Sequence, residues 1–213
     1  MTRVKICGIT SLDDGRAAIA AGADMLGFNF YPPSPRFIEP AEARKIIDAL
    51  RAADQSTTAV GVFVNEASPV SVIQVVDEAG VDAVQLHGDE SIEFCRSMKA
   101  LLKGRLLIKV LRVTETFAPA DAHGYDTDAI MLDAFHREMR GGTGQVVDWA
   151  IARLVRELAP RLFLAGGLSP SNVAEAIAQV NPYAVDACSS LESSPGRKDA
   201  KLMKAFVQAV RNG

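Results

Sequence analysis

The stretch LFLAGGLSPSNVAEAIAQVNPYAVDACSS, Leu162–Ser190, holds one full cycle of the pattern that decides the fold. An apolar run opens it, and Gly166 and Gly167 break that run. Ser169–Pro170 then gives a helix-start signal, a cap residue before a proline at the first helical position. An Ala-rich amphipathic segment follows over 170–180, and a second apolar run, YAVDACS, closes the cycle. Strands that are apolar throughout, with a helix between them, fit a parallel sheet covered on both faces.

The same cycle repeats along the chain. Strand candidates are RVKIC, DMLGFNF, TAVGVFV, DAVQL, LLIKVL, AIMLDAF, LFLAGG and YAVDACS. Helix candidates lie near 11–21, 40–52, 69–79, 90–102, 115–121, 147–158, 170–180 and 199–211. Ser68–Pro69 repeats the start signal, whereas Pro119 and Gly124 interrupt the helix near 115. Eight strands alternating with eight helices predict a (β/α)8 TIM barrel, one domain over 1–213. A doubly wound open sheet is the alternative, but it closes with fewer units. No linker, low-complexity tract or domain boundary interrupts the pattern.

Composition narrows the function classes. The 213 residues are 48% hydrophobic and 23% charged, as in an ordinary globular protein. A net charge of −3 argues against a nucleic-acid partner, whose mark would be a basic stripe. No apolar run approaches the roughly 20 residues that span a bilayer, and no signal-peptide pattern follows Arg3 and Lys5. Cys7, Cys95 and Cys188 form no CxxC pair, and an odd number suits a reducing compartment, so a cytoplasmic location is expected. His87, His123 and His136 lack zinc-ligand spacing, so no metal is expected. A chain of this length can stand as a monomer or a homodimer.

In a barrel of this kind chemistry sits at the C-terminal ends of the strands. Cys7 ends strand 1, Asp133 strand 6, Gly166 and Gly167 strand 7, and Asp186 to Ser190 strand 8. His87 follows strand 4, and Arg36 lies after strand 2. The two glycines let backbone N–H groups approach an anion, and Ser189 and Ser190 add hydroxyl and amide donors; a tight turn is the plainer reading. A short helix there would point its N-terminus inward. Asp133 lies in the apolar run IMLDAF, where desolvation would raise its pKa from about 3.9 and make it a general acid; alternatively it caps the next turn. Arg36 stands in YPPSPRFI (31–38), stiffened by three prolines, and offers a fork for a carboxylate or a solvated loop charge. His87 in QLHGDE is a substrate contact, a hydrogen-bonded turn residue or a proton carrier. RGGTGQ (140–145) reads as a lid with glycine hinges or as a connector. Cys95 and Trp149 read as packing. Cys7 itself is either a small buried hydrophobe or a nucleophile or base at a site mouth.

KICGIT, GFNFYPPSPRFI, VGVFVNE, VQLHGDE, MLDAF with GGTG and DW, and LAGGLSPSNV with AVDACSSLE and PGRKD follow one another in this order. Together, and essentially end to end, they resemble the phosphoribosylanthranilate isomerase family of tryptophan biosynthesis. The resemblance implies an Amadori rearrangement of N-(5-phosphoribosyl)anthranilate to 1-(2-carboxyphenylamino)-1-deoxyribulose 5-phosphate. It puts the general base on Cys7, the general acid on Asp133 and the anthranilate-carboxylate contact on Arg36. The phosphate contacts fall on Gly166, Gly167, Ser189 and Ser190; from their own places at the rim, Asp186 and His87 are read as further substrate contacts. No cofactor is implied, since the substrate's own amine is the electron sink.

The chain departs from the family pattern at two places. Many members read VDVSSGVE, so Cys188 stands at a serine and Ser190 at a glycine, and VDW with Val147 replaces FDW. The first change bears on the phosphate contacts. A related isomerase of histidine biosynthesis would carry aspartate in place of Cys7 and would need a second anion site. A barrel that binds phosphorylated ligands without turnover would lack Cys7 or Asp133.

Overall fold

The computed structural model describes residues 1–134, 149–159 and 161–213, so RGGTGQ and Val147 lie outside the described residues. Eight parallel strands close into a barrel: β1 (Arg3–Cys7), β2 (Met25–Asn29), β3 (Thr58–Phe63), β4 (Ala83–Leu86), β5 (Leu106–Val113), β6 (Ala129–Ala134), β7 (Leu162–Leu164) and β8 (Ala184–Ala187). Closure comes from β1 pairing with β8, Lys5 opposite Asp186, which rules out the open sheet.

Among the described residues the outer ring is α1 (Leu12–Ala21), α2 (Pro40–Arg51), α3 (Pro69–Ala79), α4 (Ile92–Leu101), α5 (Trp149–Leu158), α6 (Val173–Val180) and α7 (Ala200–Asn212). The caps follow their chemistry. Ser68 caps α3 ahead of Pro69, and Asp199 accepts from the Lys201 and Leu202 amides at the start of α7.

The structure departs from the expected pattern at three places. The helix near 115 shrinks to a 3₁₀ turn, Pro119–Ala122, where Asp121 accepts from the Ala118 amide and Gly124 follows in a left-handed conformation. The helix expected from 170 begins at Val173. The Ser169 amide donates to Asn172 Oδ1 and Asn172 Nδ2 donates to Gly167 O, so the asparagine folds 167–172 into a turn first. Finally, β9 (Glu192–Ser194) and β10 (Arg197–Lys198) form an antiparallel hairpin that strand alternation did not foresee.

Strand parity divides the interior in two. Val4, Ile6, Leu26, Phe28, Leu132, Leu164 and Val185 belong to the large core between sheet and helices. Met25, Val60, Ala83, Ile108, Met131, Phe163 and Ala184 fill the barrel itself. Because side chains alternate across a strand, the odd positions of β1 and β6 share the inner face with Lys5, Cys7 and Asp133.

Candidate active site

At the C-terminal rim a hollow of about 290 Å³ gathers Cys7, Arg36, His87, Asp133, Gly166, Gly167, Asp186, Cys188, Ser189 and Ser190. Every site residue expected from the sequence therefore lines one pocket. Hollows of about 480 and 490 Å³ lie elsewhere, but their linings hold no matching convergence of acid, thiol and glycine turns. Among the described residues no three His, Cys, Asp or Glu side chains come together as a metal would need.

Cys7 is only 8% exposed. Lys5 stands two residues earlier on the same face. The neighbouring Cys188 thiol is the chief cause that lowers the Cys7 pKa well below a free thiol; burial opposes it and the Lys5 charge assists. Room for the sulfur comes from Gly27, the Cα partner of Cys7 on β2, where a Cβ would stand 2.7 Å from Sγ and 3.1 Å from Lys5 Nζ.

Lys5 Nζ donates to Asp186 Oδ1 at 2.9 Å, and both side chains are buried. Burial works against the Lys5 charge, yet Asp186 and Cys7 hold its pKa above the ordinary value. Burial pushes the Asp186 carboxyl up to about 7 against the pull of Lys5. Asp186 is thus a carboxyl whose pKa burial raises. Asp133 is 28% exposed, and its Oδ2 lies 3.1 Å from His87 Nε2. His87 Nδ1 in turn lies 2.9 Å from Gln85 Nε2, and a glutamine NH₂ can only donate. With the amide so oriented, His87 Nδ1 accepts from Gln85 and Nε2 faces Asp133. His87 is therefore a hydrogen-bonded residue of the site rather than a free turn histidine.

Arg36 does not offer an open fork. Its Nε and Nη2 donate to Glu192 Oε1 and Oε2 at 2.8 and 2.7 Å, leaving Nη1 without a protein partner among the described residues. The same carboxylate accepts from Lys198 Nζ at 2.8 Å, and Lys198 also donates to the Cys188 carbonyl. Burial would raise the Glu192 pKa, but Arg36 and Lys198 outweigh it and lower it. Lys5, Gln85, Glu192 and Lys198 were missed as site residues. The Lys5–Cys7 spacing of two was a usable signal; nothing local marks Glu192 or Lys198.

At the opposite side Gly166 and Gly167 turn with φ of 81° and 69°, a conformation that favours glycine. Ser189–Leu191 make a single 3₁₀ turn, not a helix long enough to act as a dipole. The backbone amides of Gly166, Gly167, Ser189 and Ser190 have no protein acceptor among the described residues, and all four residues line the hollow. The Ser190 hydroxyl is not free as expected, because it donates to the Leu168 carbonyl.

The family described as "N-(5'phosphoribosyl)anthranilate (PRA) isomerase" matches residues 4–209. An N-(5'-phosphoribosyl)anthranilate isomerase from Trichlorobacter lovleyi is 47% identical, over 99% of this chain and 98% of its own. The crystal structure of phosphoribosyl anthranilate isomerase from Thermotoga maritima superimposes with a TM-score of 0.87 at 39% identity, each chain covered in full. Another solved isomerase, in complex with reduced 1-(o-carboxyphenylamino)-1-deoxyribulose 5-phosphate, gives 0.85 at 38% identity, again with full coverage of both.

Proposed function

The chain belongs to the N-(5'-phosphoribosyl)anthranilate isomerase family and catalyses that isomerisation in tryptophan biosynthesis, and from that premise we propose how its residues divide the reaction. Asp133 is the acid that protonates the furanose ring oxygen. The C1–O bond then breaks and the amine nitrogen supplies the electron pair that forms the Schiff base. Cys7, as thiolate, removes the C2 proton; the electrons of that C–H bond neutralise the iminium and give an enolamine, which tautomerises to the ketone.

The observation that carries this reading is the setting of Cys7. Its buried thiol is shifted toward thiolate by Cys188 and Lys5, while Asp133 lies in the same hollow with one oxygen occupied by His87. The unpartnered amides of Gly166, Gly167, Ser189 and Ser190 suit the substrate phosphate, and Arg36 Nη1 suits its carboxylate. Two anionic ends held apart fix the sugar between acid and base. Asp186 anchors Lys5 beneath the thiol. Among the described residues no helix is long and apolar enough to cross a membrane. Three free cysteines support a reducing cytoplasm.

Formation of the aminoketose from freshly prepared phosphoribosylanthranilate tests the roles. Cys7→Ser and Asp133→Asn should each lose about 10²–10⁴-fold in kcat. Turnover within a fewfold of wild type in either variant removes its residue from the mechanism. If Asp186→Asn is inactive while Asp133→Asn is not, the acid role passes to Asp186.

A further inference from the structure

The hairpin of β9 and β10, which the alternation of strands and helices does not require, carries two of the charges at the rim. Its antiparallel pairing sets Lys198 opposite Glu192. Three hydrogen bonds fix where it lies. Thr10 Oγ1 donates to Gly196 O at 2.6 Å, the Lys198 amide to Asp14 Oδ2 at 3.4 Å, and the Asp199 amide to Leu191 O at 2.9 Å. The hairpin tip crowds the loop after β2, since a Cβ on Gly196 would stand 2.9 Å from Pro35 O. Arg36, next in that loop, lays its stem across Gly8, where a Cβ would stand 2.8 Å from Arg36 Cδ. Its fork then ends on Glu192.

Glu192 serves more than Arg36. Its Oε1 accepts from Arg36 Nε and Lys198 Nζ, both at 2.8 Å, and from the Cys188 thiol at 3.9 Å; its Oε2 accepts from Arg36 Nη2 at 2.7 Å. Lys198 Nζ also donates to Cys188 O at 3.1 Å, while Asp14 meets only the Lys198 backbone amide. An Arg36–Glu192 pair would balance by itself, and burying a third charge is costly. The added lysine leaves two cations against one carboxylate. Side-chain exposure is 0% for Lys198, 4% for Glu192 and 21% for Arg36. The surplus charge is therefore reachable at Arg36, which lines the hollow.

We propose that Lys198 is a positioning residue for substrate recognition: by neutralising Glu192 it lets that carboxylate grip Arg36 without cancelling its charge, so that Arg36 Nη1 meets the substrate carboxylate as a net cation. With the substrate bound, two cations face two carboxylates. Without Lys198, one cation would face two. The proposal rests on the reading that Arg36 receives the substrate's carboxylate.

The test compares Lys198→Met, Lys198→Arg and Arg36→Met with the wild type. Calorimetry measures two ligands: 1-(2-carboxyphenylamino)-1-deoxyribitol 5-phosphate, and its 1-phenylamino counterpart, which lacks the carboxylate. The ratio of the two affinities is the readout, so a general loosening of the fold drops out of it. Lys198→Met should weaken the carboxylate ligand by roughly 10–100-fold and leave its counterpart within a fewfold. In turnover KM should rise more than kcat falls. Lys198→Arg, which keeps the charge, should recover most of the loss. Equal weakening of both ligands in Lys198→Met marks mere packing and overturns the proposal, and so does unchanged affinity for the carboxylate ligand. An arginine variant no better than the methionine one overturns it too. If Arg36→Met keeps the wild-type ratio, the reading of Arg36 itself fails. If Arg36→Met loses that ratio and Lys198→Met keeps it, Arg36 stands and the role of Lys198 falls.

Discussion

Gly27→Ala is the substitution most directly answerable from the geometry. A Cβ on Gly27 would stand 2.7 Å from Cys7 Sγ, 3.0 Å from Cys7 Cα and 3.1 Å from Lys5 Nζ. Carbon contacts settle near 3.5–4.0 Å, so the sulfur must retreat by roughly 1 Å. The backbone cannot absorb this, because the Gly8 and Ile9 amides both donate to Gly27 O at 2.9 Å and pin β1 against β2. The thiol must rotate away from Lys5 and Cys188, or the ladder must spread. Overpacking of this kind costs about 1–3 kcal/mol, which for a chain of this length lowers Tm by about 2–12 °C. The effect on rate is larger, since a misplacement of about 1 Å can cost about 10²-fold. It should fall on kcat, because the glycine–serine turns and Arg36 lie outside the crowded spot. Gly61→Ala on β3 is the control. Its Cβ would crowd Phe63 and Phe30 at 2.9 and 3.0 Å on the helix-facing side, so Tm should fall while kcat holds. Steady-state kinetics beside thermal melts decide the matter. Gly27→Ala with wild-type kcat, or Gly61→Ala with an equal loss of kcat, refutes the reasoning.

Two further expectations concern the buried ion pairs. Glu192→Gln keeps the shape but removes the charge that orients Arg36 and Lys198, so KM for the anthranilate-bearing substrate should rise about 10–100-fold, more than kcat falls. A lower KM would mean that Glu192 competes with substrate rather than orienting its receptor. Glu90 accepts from Lys109 Nζ at 2.6 Å and from the Asn65 and Gly88 amides, with both charged side chains buried. Glu90→Gln leaves Lys109 unmatched and should cost about 3–5 kcal/mol in urea unfolding, and adding Lys109→Met should recover most of it. A double variant as unstable as the single one would show that the hydrogen bonds to the loop, not the charge, hold this end of β4.

The barrel was legible in the chain because its cause is local. Runs such as LFLA and YAVDA are apolar because they are buried on both faces, and the segments between them carry helical periodicity and caps such as Ser68 and Asp199. Strand ends in such a barrel share a rim, so Cys7, Asp133, the glycine turn and Asp186 could be assigned to one site before any distance was known. The pattern offered Asp133 as an acid and the glycine turn as an anion site, and the family resemblance fixed Cys7 as the base.

The apolar flanks of Asp133 do not by themselves describe the surroundings of its carboxyl, because Leu132 is buried in the core on the other side of the sheet. The electrostatics were decided elsewhere, by contacts that span the chain: Lys5 with Asp186, Arg36 with Glu192 and His87 with Asp133. Such pairs depend on the register in which β1 meets β8 and on a hairpin that returns Glu192 and Lys198 under Arg36. Periodicity along one strand fixes which way a side chain faces; only closure of the barrel fixes which charge it meets.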